Sequence, residues 1–255
     1  MTRGPIIAID GPAGAGKSTV ARHLAQHFGL LNLETGAMYR AFALKAIMSD
    51  QDFDDAFALE RLSRDTEIGL EADRAGNRVF LDGSDVTERI RDSDVTQGAS
   101  RVSIHPHIRK WMVDLQRELG RRGSVVMEGR DIGTVVFPDA DVKVFLDASP
   151  EARSQRRYEQ NSGAKERSSP AFAYEHNAGP GGRPLPAAAS ERTAVFQELC
   201  ERDERDRNRA NSPLHPAPDA VVIDSTNLTL EEVLARIEDL VRPLFARRGP
   251  SEKAG

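Results

Sequence analysis

The segment that most constrains this chain is a glycine-rich loop between a short apolar run and an amphipathic helix. Residues 11–18 read G-P-A-G-A-G-K-S and match the pattern G-x-x-x-x-G-K-[ST] at every fixed position. The apolar run at 6–9 predicts a buried strand, and apolar residues recur at helical spacing from Val20 to Phe28, before a stop signal at Gly29. A strand, a loop and a helix in this order predict a phosphate-binding P-loop rather than a chance glycine-rich turn.

This loop predicts a site for a nucleoside triphosphate. Its glycines let backbone N–H groups turn toward phosphates, and the helix N-terminus adds unpaired donors and the positive end of its dipole. Lys17 is expected to contact the β- and γ-phosphates, and the Ser18 hydroxyl to bind Mg²⁺. The residues predicted to hold the triphosphate are Gly11, Pro12, Ala13, Gly14, Ala15, Gly16, Lys17, Ser18 and Thr19.

Composition limits the other function classes. A chain of 255 residues can bury a full hydrophobic core, and its single cysteine excludes an internal disulfide and a cysteine-based zinc site. The formal net charge of −5 argues against a general nucleic-acid-binding protein, so phosphate chemistry must use locally clustered arginines. No apolar run reaches membrane-spanning length, and the N-terminal residues lack the apolar stretch of a secretion signal. We expect a soluble, cytoplasmic protein that binds neither membrane nor nucleic acid.

Short apolar runs alternate with helical patterns and predict a parallel sheet built from β-α-β units. After the first strand, the candidate strands are 30–33, 124–128, 142–147 and 220–224. Acidic residues stand at the carboxyl ends of several strands, where open α/β sheets bind ligands. Asp10, Glu128, Asp147 and Asp224 are expected to face one crevice, although Asp147 and Asp224 fit equally well as helix caps.

Two regions depart from the β-α-β pattern, and a C-terminal helix follows the last strand. From 66 to about 100, alternating apolar residues with turn signals at 76–77 and 82–83 predict a small inserted antiparallel sheet. Residues 160 to 190 are rich in Pro, Gly, Ser and Ala and predict a mobile or disordered loop, with helices resuming at about Glu191. A capping box at Thr229 and Glu232 opens a helix from Leu230 to about Val241, followed by a frayed tail.

Two segments after strands carry groups suited to phosphate chemistry. Residues 34–40, E-T-G-A-M-Y-R, offer the Thr35 hydroxyl and the Arg40 guanidinium, although alone they read as an ordinary helix start with an exposed arginine. Residues 128–134, E-G-R-D-I-G-T, place Glu128 where a carboxylate holds Mg²⁺ directly or through water. The alternative for this second segment is a strand-ending turn with a local ion pair between Arg130 and Asp131.

Two helical segments are rich in arginine. In 201–209, the residues that share a helix face are Arg202, Arg205 or Asp206, and Arg209. Two arginines flanking a carboxylate could clamp a phosphate there, but a solvated helix with local ion pairs explains the same pattern. Near 150, the spacing of Arg153, Arg156 and Arg157 gives one cationic face beside the predicted mobile loop. Such a face suits an arginine-bearing lid over transferring phosphates, and a basic surface helix is the alternative.

A histidine pair is a weaker signal. His23 and His27 stand four residues apart on the predicted P-loop helix, but the segment lacks the glutamate of H-E-x-x-H and has no obvious third ligand. We interpret the pair as surface residues or as residues that contact a neighbouring helix.

The motifs taken together resemble the bacterial cytidylate kinases, a family of nucleoside monophosphate kinases with the P-loop fold. The likeness covers residues 5 to about 240, apart from 160–190. It is carried by G-P-A-G-A-G-K-S, E-T-G-A-M-Y-R, E-G-R-D-I-G-T-V-V-F-P-D-A, K-V-F-L-D-A-S, R-D-E-R-D-R-N-R and S-P-L-x-x-A-x-D-A. The resemblance implies an α/β fold with a five-stranded parallel sheet flanked by helices, a monophosphate-binding insert and a mobile lid.

The resemblance also implies roles for single residues. Catalysis would involve Lys17, Arg130, Arg153, Arg157 and Arg202, with Arg153 and Arg157 on the lid. Mg²⁺ would be held by Ser18 and, directly or through water, by Glu128. The acceptor nucleotide would contact Thr35, Arg40, Ser100, Arg109, Arg130, Asp131, Arg202, Asp206 and Arg209. Thr35 and Glu128 stand where relatives often have Ser and Asp, and the 160–190 stretch is longer than in the family.

The predicted reaction is transfer of the γ-phosphoryl group of ATP to CMP or dCMP by a monomer. One P-loop kinase domain would span 1–240, with its core at 4–60, 101–150 and 191–240, the insert at about 61–100 and the lid at about 151–190. The tail would be 241–255. The alternatives are a kinase for UMP or for a small hydroxyl metabolite, and a GTP-binding switch. A GTP-binding switch would carry an N-K-x-D motif, which this sequence lacks, and the D-x-x-G match of the sequence at 73–76 falls in a predicted hairpin turn.

Overall fold

The computed structural model describes residues 3–73, 76–121, 123–168, 186–209 and 211–246 of the chain. The strands are β1 (Ile6–Asp10), β2 (Leu31–Glu34), β3 (Ile68–Asp73), β4 (Gly76–Leu81), β5 (Ser84–Asp85), β6 (Val125–Gly129), β7 (Val142–Asp147) and β8 (Val221–Asp224). The helices are α1 (Lys17–Phe28), α2 (Thr35–Met48), α3 (Ala56–Arg64), α4 (Ser93–Val102), α5 (Pro106–Gly120), α6 (Pro150–Ser168), α7 (Pro186–Asn208) and α8 (Leu230–Ala246).

The core is a five-stranded parallel sheet in the spatial order β2-β6-β1-β7-β8. This confirms the predicted sheet, and each strand begins and ends within one residue of its predicted bounds. Strand β1 lies at the centre and is buried along its whole length, which explains its unbroken apolar run. Ile7 and Ile9 face α1 and α8, whereas Ile6 and Ala8 face the opposite layer, which includes α5.

The predicted small antiparallel sheet is confirmed, with the order β3-β4-β5. The turn predicted at 82–83 is present, since Asp82 and Gly83 both have positive φ angles, of 48° and 79°. The turn predicted at 76–77 was wrong, because Gly76 already pairs with Asp73 across the hairpin. Asp73 and Gly76, the two ends of the D-x-x-G match, are therefore partners in a hairpin.

The loop predicted at 160–190 is shortened at both ends by helix. Helix α6 continues through 168 and α7 begins at Pro186, so the loop prediction was wrong for 160–168 and 186–190. Helix-favouring residues in A-K-E-R and the run of alanines after a first-turn proline explain these extensions. The remainder of the predicted loop, 169–185, lies outside the described residues.

The C-terminal helix is longer than predicted. The tail prediction was wrong for 241–246, because α8 continues to Ala246. Val241 is buried, and the Phe245 ring stacks on Phe28 with centroids 4.9 Å apart, so this last turn is held against α1. Residues 247–255 lie outside the described part. Within the residues that the structure describes, none of the helices is both long enough and apolar enough to cross a bilayer.

Candidate active site

The P-loop joins β1 to α1 through glycines whose backbone no other residue adopts easily. Gly11 has a φ of 148°, and a Cβ there would lie 2.0 Å from the carbonyl oxygen of Leu146. Gly14 and Gly16 also have positive φ angles, of 77° and 96°. Gly16 is the N-cap of α1 and supplies no side-chain cap, so the first N–H groups of the helix are available to an anion.

Lys17 is held inside this loop. The residue is 6% exposed, and its Nζ donates a hydrogen bond of 2.7 Å to the carbonyl oxygen of Pro12. Burial, followed by the positive charge of Arg130, lowers the pKa of Lys17 to about 7, while the carboxylates of Glu128 and Asp10 oppose this shift. An anion placed beside Nζ would favour the charged form of the lysine.

The four acidic residues at strand ends divide into two pairs. Asp10 is buried and accepts hydrogen bonds from the backbone N–H groups of Ile132 (2.8 Å) and Gly133 (2.7 Å), and burial raises its pKa to about 6. Asp147 and Asp224 instead accept bonds from backbone N–H groups one and two residues further along the chain. Asp10 and Glu128 lie beside Lys17. The helix-cap alternative for Asp147 and Asp224 was wrong, because the hydroxyls of Ser149 and Thr229 cap the helices that follow these strands.

Ser18 and Glu128 form an oxygen-rich pair next to the P-loop. The exposed Ser18 donates a side-chain hydrogen bond to the buried Glu128 carboxylate. Burial and then the negative charge of Glu34 raise the pKa of Glu128. Its Oε1 is buried and has no hydrogen-bond partner among the described residues. Hydroxyl and carboxylate oxygens are ligands that Mg²⁺ prefers, so this donor set fits a magnesium ion.

The E-T-G-A-M-Y-R segment starts α2 beside the same strand ends. The Thr35 hydroxyl is buried and donates a 2.7 Å hydrogen bond to the carbonyl oxygen of Glu128. The Arg40 Nη2 lies 2.5 Å from the Glu34 Oε1 in a partly buried ion pair. Tyr39, which sequence reasoning did not single out, is partly buried and lies against the Arg109 guanidinium, with 5.9 Å between its ring centroid and the Arg109 Cζ. The sequence signal for Tyr39 was its position between Thr35 and Arg40, both of which are predicted to contact the acceptor.

Ion pairs connect the segments that the sequence keeps far apart. Arg109 on α5 is paired with Asp131, and both side chains are buried. The Arg130 Nε donates a 2.8 Å hydrogen bond to Asp206 on α7, and the Arg209 Nη1 lies 3.6 Å from the other oxygen of the same carboxylate. Asp206 therefore contacts Arg130 and Arg209, while Arg202, the other arginine of the predicted phosphate clamp, lies near enough for its charge to act on the same carboxylate.

Several predicted acceptor-side residues carry buried polar atoms without a hydrogen-bond partner in the described part of the chain. These atoms are Ser100 Oγ, Arg40 Nε, Arg109 Nε and Arg209 Nη2. A buried donor without a partner costs about 1–3 kcal/mol, and a polar ligand that contacts these atoms would recover this cost. The Arg202 side chain lies near Arg130 and Asp206. Burial, then the nearby charge of Arg130, lowers its pKa to about 10, and Arg40 and Arg157 act in the same direction.

Arg153 differs from the expectation of a lid arginine that faces the phosphates. It is 1% exposed, its Nε donates to the Ala148 carbonyl at 2.8 Å, and its Nη1 donates to the Ala13 carbonyl of the P-loop at 3.0 Å. Its Nη2 lies 2.5 Å from the Asp203 carboxylate on α7. The physical reason is that the Asp203 carboxylate and the carbonyls of Ala148 and Ala13 hold Arg153 in the core, whereas Arg157, one turn further along the same face of α6, is exposed.

A cavity of about 440 Å³ lies on the other side of the P-loop. Arg156 on α6 borders it and donates hydrogen bonds to the Ser225 hydroxyl (3.0 Å) and carbonyl (2.6 Å). Sequence reasoning noted Arg156 only as part of a cationic face and gave no role to Ser225. Residues that line the cavity include Gly16, Thr19, Val20, Leu146, Leu228 and Val233.

A parallel sheet whose central strand runs into a P-loop, with cations gathered at its carboxyl edge, defines a P-loop kinase. The chain matches the family described as cytidylate kinase over residues 7–172 and 186–243. It therefore belongs to the cytidylate kinase family, as the resemblance of its motifs predicted.

Individual relatives agree with the family match. The chain is 47% identical over 238 residues to a cytidylate kinase of Pelotomaculum thermopropionicum, covering 93% of this chain and 96% of that one. It is 46% identical to a cytidylate kinase of Solibacter usitatus, covering 93% and 92% of the two chains. It is 44% identical to a cytidylate kinase of Geobacillus thermodenitrificans, covering 94% and 98%.

Proposed function

We propose that this enzyme transfers the γ-phosphoryl group of ATP to CMP or dCMP, with Mg²⁺ as its metal ion. The observation that supports this most is the convergence of Lys17, Arg130 and Arg202 in a buried site, where burial and like charge lower the pKa of Lys17 to about 7 and that of Arg202 to about 10. Such a cluster favours the binding of anions, and two nucleotides supply several phosphate groups.

The state of the carboxylates favours a phosphate acceptor over a hydroxyl acceptor. A hydroxyl needs a carboxylate placed to take its proton, whereas a nucleotide phosphate, with a second pKa near 6, is already mostly ionised at neutral pH. Three buried carboxylates near the P-loop already have partners: backbone N–H groups bind Asp10, Arg109 binds Asp131, and Arg130 binds Asp206. A fourth, Glu128, has an unpartnered Oε1 among the described residues, and we assign this carboxylate to the magnesium ion. This arrangement orients cations for an anionic acceptor.

In the proposed reaction an oxygen of the CMP phosphate attacks the γ-phosphorus of ATP. The bond from this phosphorus to the β–γ bridging oxygen breaks, and ADP leaves with that oxygen. Lys17 and the N–H groups of the P-loop hold the β- and γ-phosphates, while Arg130 and Arg202 neutralise charge on the transferred group. The magnesium ion, bound near Ser18 and Glu128, would neutralise charge on the donor phosphates.

The acceptor side is proposed to use the residues with unpartnered buried atoms. We assign Ser100 and Arg109 to the base and phosphate of the acceptor, Arg209 to its phosphate and Asp206 to its ribose, and the unpartnered buried atoms of Ser100, Arg109 and Arg209 support this assignment. Thr35 and Arg40 complete this side at the start of α2. The cavity bordered by Arg156 is proposed to receive the nucleoside of ATP, because it opens directly at the P-loop. The monomeric state and the cytoplasmic location stay predictions.

Replacing Arg209 tests the assignment of the acceptor side. We expect Arg209→Ala to raise the KM for CMP by about tenfold or more and to leave the KM for ATP nearly unchanged, because a charge-assisted hydrogen bond contributes about 1.5–3 kcal/mol. Steady-state kinetics with each substrate varied in turn measure both constants. The matched control is Arg205→Ala, which removes an exposed arginine from the same helix. Equal changes in the two KM values for Arg209→Ala would contradict the assignment.

ATP binding is expected to take up protons at alkaline pH. Lys17 has a pKa of about 7 in the protein without nucleotide, and phosphates beside its Nζ raise that pKa. At pH 8 the lysine is therefore mostly neutral before binding and charged afterwards, so uptake approaches about one proton per ATP, and ATP affinity falls as the pH rises further. Calorimetry in two buffers of different ionisation enthalpy measures the uptake. Unchanged uptake in Lys17→Met would contradict the interpretation.

A further inference from the structure

The histidine pair on the P-loop helix has a third neighbour that is distant in sequence. His23 and His27 lie one turn apart on α1, with ring centroids 5.8 Å apart and ring planes inclined by 17°. Glu238 on α8 brings its Oε1 to 2.6 Å from the His23 Nε2. One ligand atom from each of the three residues can be chosen so that all lie within 4.8 Å of one another.

The packing of α1 against α8 fixes this arrangement. The Phe28 ring stacks on Phe245 and also meets the edge of the His27 ring at 4.6 Å. Buried apolar residues of both helices belong to one core cluster. The cluster of ligand atoms is nevertheless open to solvent, because the His23 side chain is 37% exposed and the Glu238 side chain 17% exposed. A cation can therefore reach a site whose backbone is rigid.

We propose that His23, His27 and Glu238 form a zinc-binding site that is separate from the magnesium site of the P-loop. Two imidazole nitrogens and one carboxylate oxygen are a ligand set that zinc accepts, with water completing the coordination. Zinc–ligand bonds of about 2.0–2.2 Å require ligand atoms roughly 3.3 Å apart, which small rotations of these side chains provide. The imidazole ligands exclude Mg²⁺, which prefers oxygen.

The second carboxylate oxygen of Glu238 supports the site from outside. It lies 3.4 Å from the Arg242 guanidinium, which orients the carboxylate as hydrogen-bonded neighbours of metal ligands do. Bound zinc would connect the P-loop helix to the C-terminal helix. Since only the folded chain brings α1 and α8 together, the ion would stabilise the folded state in proportion to its affinity.

Zinc titration of untagged protein freed of metal with a chelator tests the site. We expect one Zn²⁺ per chain by calorimetry in the presence of excess Mg²⁺, and a rise in the melting temperature on adding Zn²⁺. His27→Gln and Glu238→Gln each remove one ligand and should weaken binding by about tenfold or more. The control is His107→Gln, since His107 also lies near a glutamate, 3.8 Å from Glu60, but at an exposed pair without a third ligand.

Each outcome decides the proposal. It is supported if zinc affinity and the melting shift fall in His27→Gln and Glu238→Gln and persist in His107→Gln. Wild-type affinity in the two ligand variants, displacement of Zn²⁺ by Mg²⁺, or equal loss in the control would overturn it. The result is independent of the kinase assignment, because zinc binding and melting are measured without nucleotide.

Discussion

Replacing Lys17 by methionine is expected to remove nearly all turnover while the protein stays folded. The lysine is buried in the P-loop, and its charge is proposed to act on the phosphates as the γ-phosphoryl group transfers. Loss of one preorganised charge-stabilising donor lowers kcat by about 10²–10³-fold. Burial disfavours the charged lysine in the folded protein, so methionine, of similar length and without a charge, is not expected to lower stability.

The measurement is kcat at saturating ATP and CMP, together with the melting temperature. Lys45→Met is the matched control, because Lys45 lies on the neighbouring α2 and pairs with Asp82 at the surface, away from the P-loop. We expect the control to keep wild-type turnover. A Lys17→Met enzyme that keeps more than about a tenth of the wild-type kcat would contradict the proposed role.

Removing Asp203 is expected to produce the largest loss of stability among single changes near the site. Arg153 is 1% exposed and Asp203 is 7% exposed, and the two form a 2.5 Å ion pair. Asp203→Asn leaves the guanidinium buried without its counter-charge, which typically lowers the free energy of unfolding by about 3–5 kcal/mol. Denaturant unfolding followed by circular dichroism measures the change.

Two further variants separate the ion pair from other effects. Glu204→Gln changes the exposed neighbouring residue on α7 and should alter the free energy of unfolding by less than about 0.5 kcal/mol. The double variant Arg153→Met with Asp203→Leu should recover much of the stability lost in Asp203→Asn, since no uncompensated charge remains buried. If Asp203→Asn instead kept its stability and lost only turnover, the lid role predicted for Arg153 would be the better account.

The local pattern of the sequence was sufficient for the core of the fold. Apolar runs bounded by turn residues defined five strands to within one residue, because a buried parallel strand has to be continuously apolar. The P-loop could be predicted because its glycines meet a backbone requirement that other residues do not, as the 2.0 Å approach at Gly11 illustrates. The loop prediction from composition was wrong where proline and glycine lie beside helix-favouring residues, at the C-terminal end of α6 and the N-terminal end of α7.

Contacts between residues that are distant in sequence could not be predicted from local sequence patterns. Spacing placed Arg153 and Arg157 on one cationic face, but the counter-charge of Asp203, fifty positions from Arg153 along the chain, holds Arg153 in the core. His23 and His27 lacked a third ligand in their own segment because Glu238 belongs to another helix. Arg156 and Ser225 border a cavity that exists only once α6 and β8 are assembled. Helical periodicity predicts which residues share a face of a helix, whereas the residues that this face contacts depend on the whole fold.

The central claim is that the acceptor is a cytidine monophosphate. The most direct test measures ADP release from ATP and Mg²⁺ in a coupled assay, with CMP, dCMP, UMP, AMP, GMP and shikimate offered separately. The account predicts the highest kcat/KM with CMP or dCMP and no turnover with shikimate, since Asp10, Asp131 and Asp206 are already bound to backbone N–H groups or arginines and Glu128 is assigned to the magnesium ion. Preference for shikimate or for another nucleotide, or no turnover with any acceptor despite ATP binding, would contradict it.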